Sequence, residues 1–318
     1  MNPAETTTPI DVTITEVGPR DGLQSIAVTM RTADKLAWIR AMAGAGLREI
    51  EVASFVPPRL LPQMADAAEV VRQASGLKGL RVCALAPNLT GAKRAMEAGA
   101  RRITLPLSVS VAHSLANLRC TPAAAIAAAR EICAWRDGLP VAQRPLIEAG
   151  LATAFGCDLQ GMVDPQDVMR LASAAIVAGC DSVSLGDTTA HANPAQVRRV
   201  VRLVRGAIGD RLRALHLHDT RGLGLANVLA ALDVGVQAFE SSLAGLGGCP
   251  HAPTAGGNIV SEDLVFMLER MGLRTGVDLA RLVACREHLQ RALPGVALRG
   301  SIAIAGTPSD LNTTGEPA

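Results

Sequence analysis

Short runs of β-branched and aliphatic residues alternate along this chain with longer stretches whose apolar positions recur at helical spacing. The runs fall at residues 12–16, 49–53, 81–85, 102–107, 145–150, 182–185, 214–218 and 236–241. An apolar run alone does not separate buried strand from buried helix, so the segments between decide. Asp164-Pro165, Asn193-Pro194 and Thr121-Pro122 each set a capping side chain before a proline at the first helical position. Val168, Leu171 and Ala175 then follow at the spacing of one buried helical face, as do Val197, Val201 and Val204. Met64, Ala68 and Val71 repeat the pattern earlier. Gly46, Gly76, Gly99 and Gly179 end helices just ahead of the next strand.

Eight such strand–helix units predict an α/β fold, a (β/α)8 TIM barrel, over a doubly wound sheet. A dinucleotide-binding sheet would want Gly-x-Gly-x-x-Gly after its first strand, where this chain has Val17-Gly18-Pro19-Arg20-Asp21-Gly22. Residues 261–270 read as a helix capped by Ser261, and 278–293 as one further helix. The expected organisation is therefore a single catalytic domain, 10–293, with additional C-terminal helices, then a flexible tail, 294–318, rich in Gly, Thr, Ser and Pro.

Composition narrows the function classes. With 49% apolar and 19% charged residues the chain is ordinary globular material, and with no Tyr and four Phe its core must be aliphatic. A net charge of +2 gives no reason to invoke nucleic acid or an anionic membrane. Seven cysteines, an odd number without a Cys-x-x-Cys pair, argue against a disulfide framework and a zinc ribbon. The polar, Thr/Pro-rich start does not read as a signal peptide, and no run approaches the ~18 apolar residues of a membrane helix. A cytoplasmic protein is expected.

In a TIM barrel the chemistry lies at the C-terminal ends of the strands, and unusual polar residues collect there. His216 and His218 sit two apart on one strand, so both imidazoles point to the same face and can converge on a cation. The alternative is a pair bonded to loop backbone. Asp21 adds a carboxylate and Asn258 an amide oxygen, a nitrogen and oxygen set that suits Mg²⁺ or Mn²⁺ better than zinc. Glu51 lies mid-strand in an apolar stretch and needs a partner, for which Arg20 is the obvious choice. Arg20 is either a surface ion-pair member or a fixed cation for an enolate oxygen. Asp187 follows a buried strand and is expected to hold a water or take a proton. Cys249 stands in the glycine-dense Gly245-Leu246-Gly247-Gly248-Cys249-Pro250, where a reactive thiol can be delivered by a hinge.

Together these residues resemble the 3-hydroxy-3-methylglutaryl-CoA lyase family, within the wider group of metal-dependent TIM-barrel lyases and condensing enzymes. The carriers are Glu16–Gln24, Ser54–Pro58 with Pro62–Met64, Ser184–Thr188, His216–Thr220 and Leu243–Pro250. The resemblance implies Asp21, His216, His218 and Asn258 as metal ligands and Arg20 as the enolate-stabilising arginine. It implies Cys249 as the acid that protonates the acetyl-CoA enolate, and Glu51 and Asp187 as active-site carboxylates. It implies an acyl-CoA substrate cleaved by a retro-Claisen step, and a homodimer or higher homo-oligomer. The base for the substrate hydroxyl is left open among Asp187, His216 and a water.

The sequence departs from the family in two loops. After the fourth strand the family carries Ser-Glu and later Asn-x-Asn-Cys. Here Val111 replaces the Glu and Arg119 the second Asn. After Asp187, Thr188-Thr189-Ala190-His191 replaces Thr-Ile-Gly-x. Both loops bear on the acyl group, so citramalyl-CoA or a longer 3-hydroxy-3-alkylglutaryl-CoA are alternative substrates. A Claisen-type synthase and a non-catalytic scaffold are the more distant alternatives.

Overall fold

A computed structural model describes residues 9–247 and 257–308. Eight parallel strands close into a barrel in chain order: β1 (Thr13–Glu16), β2 (Glu49–Ser54), β3 (Arg81–Leu85), β4 (Arg102–Ser108), β5 (Leu146–Ala152), β6 (Ser182–Asp187), β7 (Leu212–Leu217) and β8 (Ala238–Ser241). β8 pairs with β1, Thr15 opposite Glu240, which completes the ring. Each strand lies within about two residues of its expected run. Parallel neighbours need helical crossovers, and the proline-started helices Pro122–Asp137, Pro165–Val177 and Pro194–Ile208 are among them. Thr121, Asp164 and Asn193 do cap them, accepting from the backbone N–H of Ala124, Gln166 and Gln196.

Several local features differ from the sequence expectation. Ser261 is the first residue of helix Ser261–Arg270 rather than its cap, because its hydroxyl donates to Glu16 Oε2 at 2.6 Å. The helix expected over 278–293 is two, Leu279–Ala284 and Arg286–Ala292, meeting at Cys285. The loop after β4 contains a helix, Val111–Leu118, capped by Ser110. In the segment expected as a tail, helix Ser301–Ala305 rests on the Asp263 carboxylate, and Ile302 is buried.

The hydrophobic core lies between barrel and helices and is aliphatic apart from Trp38, Phe55, Phe155 and Phe239. The barrel's interior is different. Its floor holds Glu49, Glu148, Arg102 and Arg213, all buried or nearly so. Arg102 pairs with Glu49, and Arg213 binds Glu148 through two nitrogens. Arg81 and Thr15 also reach Glu49, and Ser182 reaches Glu148. Buried ions are tolerated only when paired, and each carboxylate here faces at least one guanidinium. Arg102 Nε lacks a hydrogen-bond acceptor, though Glu148 Oε2 stands 4.0 Å from it.

Candidate active site

Above that floor, β1 ends at Glu16 and the chain enters one π-helical turn, Gly18–Gly22, that carries Arg20 and Asp21 over the barrel mouth. Glu16 secures this turn. Its buried carboxylate accepts the N–H of Gly18 at 2.8 Å and of Leu243 at 2.9 Å, besides the Ser261 hydroxyl. The turn after β1 is thus tied to the turn after β8. Burial pushes the Glu16 carboxyl up to about 7 against the pull of those three donors.

β7 brings His216 and His218 to the same mouth. Their Nε2 atoms stand 3.0 Å apart, and ligand atoms of Asp21, His216 and His218 all lie within 4.8 Å of one another. Residues 257–260 return beside β7 through the Asp219 N–H to Gly257 and Ile259 N–H to Leu217 bonds, and Asn258 bridges to His218. Asn258 Nδ2 donates to Asp21 Oδ2 at 2.8 Å and to the Leu246 carbonyl at 3.2 Å. The structure therefore gathers Asp21, His216, His218 and Asn258 at one point.

These residues fit a divalent cation. Asn258 Oδ1 and His218 Nδ1 are buried without a hydrogen-bond partner, a rare and costly state. Turning the Asn258 amide exchanges its oxygen and nitrogen and offers Oδ1 to the cluster. Two ligands at right angles, each about 2.1 Å from an octahedral ion, stand about 3.0 Å apart, which is the spacing of the two imidazole nitrogens. Burial and the nearby His216 hold His218 down to about 4, so it is neutral at pH 7 and able to coordinate. Burial raises the Asp21 carboxyl less than Arg20 and the two histidines lower it, and it stays ionised.

Glu51 and Arg20 form the expected pair, and Arg20 Nη1 also donates to Asp21 Oδ1 at 2.6 Å. Burial opposes the Arg20 charge, but the two carboxylates outweigh it and hold the guanidinium charged. Burial pushes Glu51 upward, and Arg20 pulls it back.

Asp187 is not brought to the cluster. Along β6, Ser184 and Gly186 line the pocket, so the alternation turns Asp187 away from it. Its carboxylate accepts the N–H of His191 at 2.8 Å and of Ala192 at 3.1 Å, bracing the turn after the strand. Burial pushes it up to about 6. Cys249 lies outside the described residues. The glycine-rich segment leading to it is anchored at Ala244, whose backbone takes a left-handed φ of 59°. Its N–H donates to Glu262 and its carbonyl accepts from Arg299, while Arg286 links Glu262 to the Arg299 carbonyl. At Gly247 a Cβ would stand 2.8 Å from Asn258 Nδ2, so glycine alone fits against the cluster.

Glu240 was missed by sequence reasoning. It holds His216 Nδ1 at 3.0 Å and Arg213 at 3.4 Å, linking the mouth to the floor and fixing which His216 nitrogen faces the cluster. Its signal was the one that marked Glu51, a carboxylate inside an apolar strand. A cavity of about 390 Å³ opens from the cluster, walled by Leu85, Pro106, Leu151 and Leu159, with His113 and Asn117 over it.

Known proteins resemble this chain in sequence and fold. The chain is 38% identical to the hydroxymethylglutaryl-CoA lyase of Bacillus subtilis, over 90% of this chain and 94% of that protein. It is 38% identical to the cytoplasmic 3-hydroxy-3-methylglutaryl-CoA lyase of Mus musculus, over 89% and 81%. The solved HMG-CoA lyase of B. subtilis superposes with a TM-score of 0.88 at 36% identity, covering 93% of this chain and 98% of that one. An Acinetobacter baumannii HMG-CoA lyase, solved with coenzyme A and 3-methylmalate, gives 0.87 at 39% identity, covering 96% and 98%. With the HMGL-like family profile matching residues 11–289, the whole barrel and most of the C-terminal helices, this chain belongs to the HMGL-like family.

Proposed function

We infer that this protein is a divalent-metal-dependent carbon–carbon lyase that cleaves 3-hydroxy-3-methylglutaryl-CoA into acetyl-CoA and acetoacetate by a retro-Claisen step. The observation that carries the reading is the meeting of Asp21, His216, His218 and Asn258 beside a buried Arg20. The similarity to HMG-CoA lyases over nine-tenths of the chain names the substrate. Mg²⁺ or Mn²⁺ is the proposed ion, and once bound it would lower the pKa of the substrate hydroxyl.

The chain's residues divide the remaining work. Glu240 orients His216, and Asn258 and Asp21 complete the oxygen side of the ligand set. Arg20, locked between Glu51 and Asp21, offers a fixed guanidinium to the enolate oxygen that develops as the C2–C3 bond breaks. Cys249 is the proposed acid that returns a proton to C2. His216 or a water takes the hydroxyl proton, and Asp187 supports the loop that covers the site. A cytoplasmic setting fits six free thiols among the described residues. Among those residues no helix is long and apolar enough to cross a membrane. A homodimer or higher oligomer belongs to the same proposal, and light scattering tests it.

The deciding experiment is an assay of 3-hydroxy-3-methylglutaryl-CoA cleavage before and after chelation. Activity should vanish with EDTA and return with Mg²⁺ or Mn²⁺. Full turnover by metal-free protein would sink the mechanism.

A further inference from the structure

The alternation of β7 breaks near its start. His216 and His218 face the reaction pocket, while Leu215 and Leu217 are buried in the layer between barrel and helices. Carried backward, that parity would send Arg213 outward among the leucines and Leu212 into the barrel. The structure has the reverse. Val183 of β6 stands opposite Leu212 and Ser184 opposite Ala214, so β7 advances two residues where β6 advances one. Arg213 is the extra residue. A bulge of this kind re-aims a side chain. Leu212 joins the outer core, and the Arg213 guanidinium turns into the barrel.

Inside, it meets carboxylates from three strands: Glu148 of β5, Glu240 of β8 and, at 3.6 Å, Glu49 of β2. Among the described residues Arg102 pairs with Glu49 and Glu148 alone. Arg213 is thus the floor cation that reaches up to Glu240. Its fork grips Glu148 through Nε and Nη2, and Nη2 also stands 3.4 Å from Glu240 Oε1. The other Glu240 oxygen, Oε2, is left for His216 Nδ1 at 3.0 Å. With one oxygen on each neighbour the carboxylate is fixed in rotation, and so is the imidazole it holds. Arg20 lies close enough to feel the Glu240 charge, so a carboxylate released from Arg213 has a second cation competing for it.

Resting on the metal-dependent lyase reading above, we propose that Arg213 is a positioning residue of the metal site. From the β7 bulge it fixes the Glu240 carboxylate, and through that carboxylate it sets the angle at which His216 meets the cation. Arg102, at the same depth in the barrel, serves the fold alone. Partners that orient a ligating histidine tune its metal site from outside the ligand shell, and here that support extends one residue further down.

The test measures the Mn²⁺ affinity of the folded, substrate-free protein, with urea stability alongside. The variants are Arg213→Met, Arg102→Met, Glu240→Gln and the Arg213→Met/Glu240→Gln double variant. Methionine keeps much of the arginine stem and removes the fork. Both floor variants should lose stability. Arg213→Met should also weaken Mn²⁺ binding by about tenfold, while Arg102→Met leaves it nearly as it was. The double variant should bind Mn²⁺ as Glu240→Gln does, because residues acting through one another are not additive. Unchanged affinity in Arg213→Met overturns the proposal. So does an equal loss in Arg102→Met, which would mark general loosening of the floor, and so do additive losses in the double variant. Should Arg213→Met not fold, Arg213→Lys keeps a cation for Glu148 but cannot fork to Glu240. It should weaken Mn²⁺ binding with stability largely kept, and unchanged affinity there overturns the proposal. If the natural protein binds no Mn²⁺, the metal reading itself fails and Arg213 has nothing to position.

Discussion

Glu49, Glu148, Arg102 and Arg213 fill the floor of the barrel, and Asp21, His216, His218 and Asn258 crowd its mouth. Both regions are polar, both are largely buried, and Glu240 touches each. On the floor, carboxylates and guanidinia meet and nearly exhaust one another's hydrogen-bonding capacity. At the mouth, two imidazole nitrogens confront each other and an amide oxygen has no donor. A buried cluster that satisfies itself holds a fold together. One with unmet valence waits for something else to bind.

Substitutions can break or sharpen that contrast. The largest effect is expected from Asp21→Ala, which should lower kcat/KM by ~1000-fold or more, about 4 kcal/mol. Its Mn²⁺ affinity should fall by more than the ~100-fold upper range for outer-shell residues. Metal titration and denaturation together check it, and a variant that unfolds while its folded fraction binds Mn²⁺ normally reverses the assignment. Arg102→Ala should do the opposite. Glu49 loses the guanidinium buried with it and keeps only Arg81 and, at 3.6 Å, Arg213, so stability should fall by about 3 kcal/mol in urea, with Mn²⁺ affinity little changed.

Acid should expose the same division. The folded-state value for His218 is about 4, below its ordinary 6.5. Its contribution to stability is therefore complete above pH 6.5 and is lost as pH falls toward 4. The metal-free protein should lose up to about 3 kcal/mol across that window. His218→Gln should flatten this part of the pH profile, and an unaltered profile would show that His218 protonates freely. The smallest effect is expected at the link between the regions. Glu240→Gln should weaken Mn²⁺ binding by about 10–100-fold, and no change would mean that His216 needs no orienting partner.

Periodicity made the barrel legible, because the strand runs and the capped helices among the crossovers follow local rules. The Arg20–Glu51 pair was legible too, since a carboxylate inside an apolar strand demands a cation. Asp187 misled because nearness to a strand's end does not say which way a side chain points; its outward parity gives it to the backbone of residues 191 and 192. The floor was hidden for a related reason. Arg102, Glu148 and Arg213 come from three separate strands, and only closure of the ring makes them neighbours. The docking of residues 299–302 depends on tertiary packing that no local pattern encodes.

The pairing of β8 with β1 has one more consequence. Asp21 arrives from the first repeat, the histidines from the seventh, and Asn258 from beyond the eighth, so the ion's cradle straddles the seam where the chain's beginning meets its end. No run of successive repeats from one side of that seam contains it. Affinity for the ion should then emerge all at once in the final stage of assembly, and added metal should pull nearly finished chains shut.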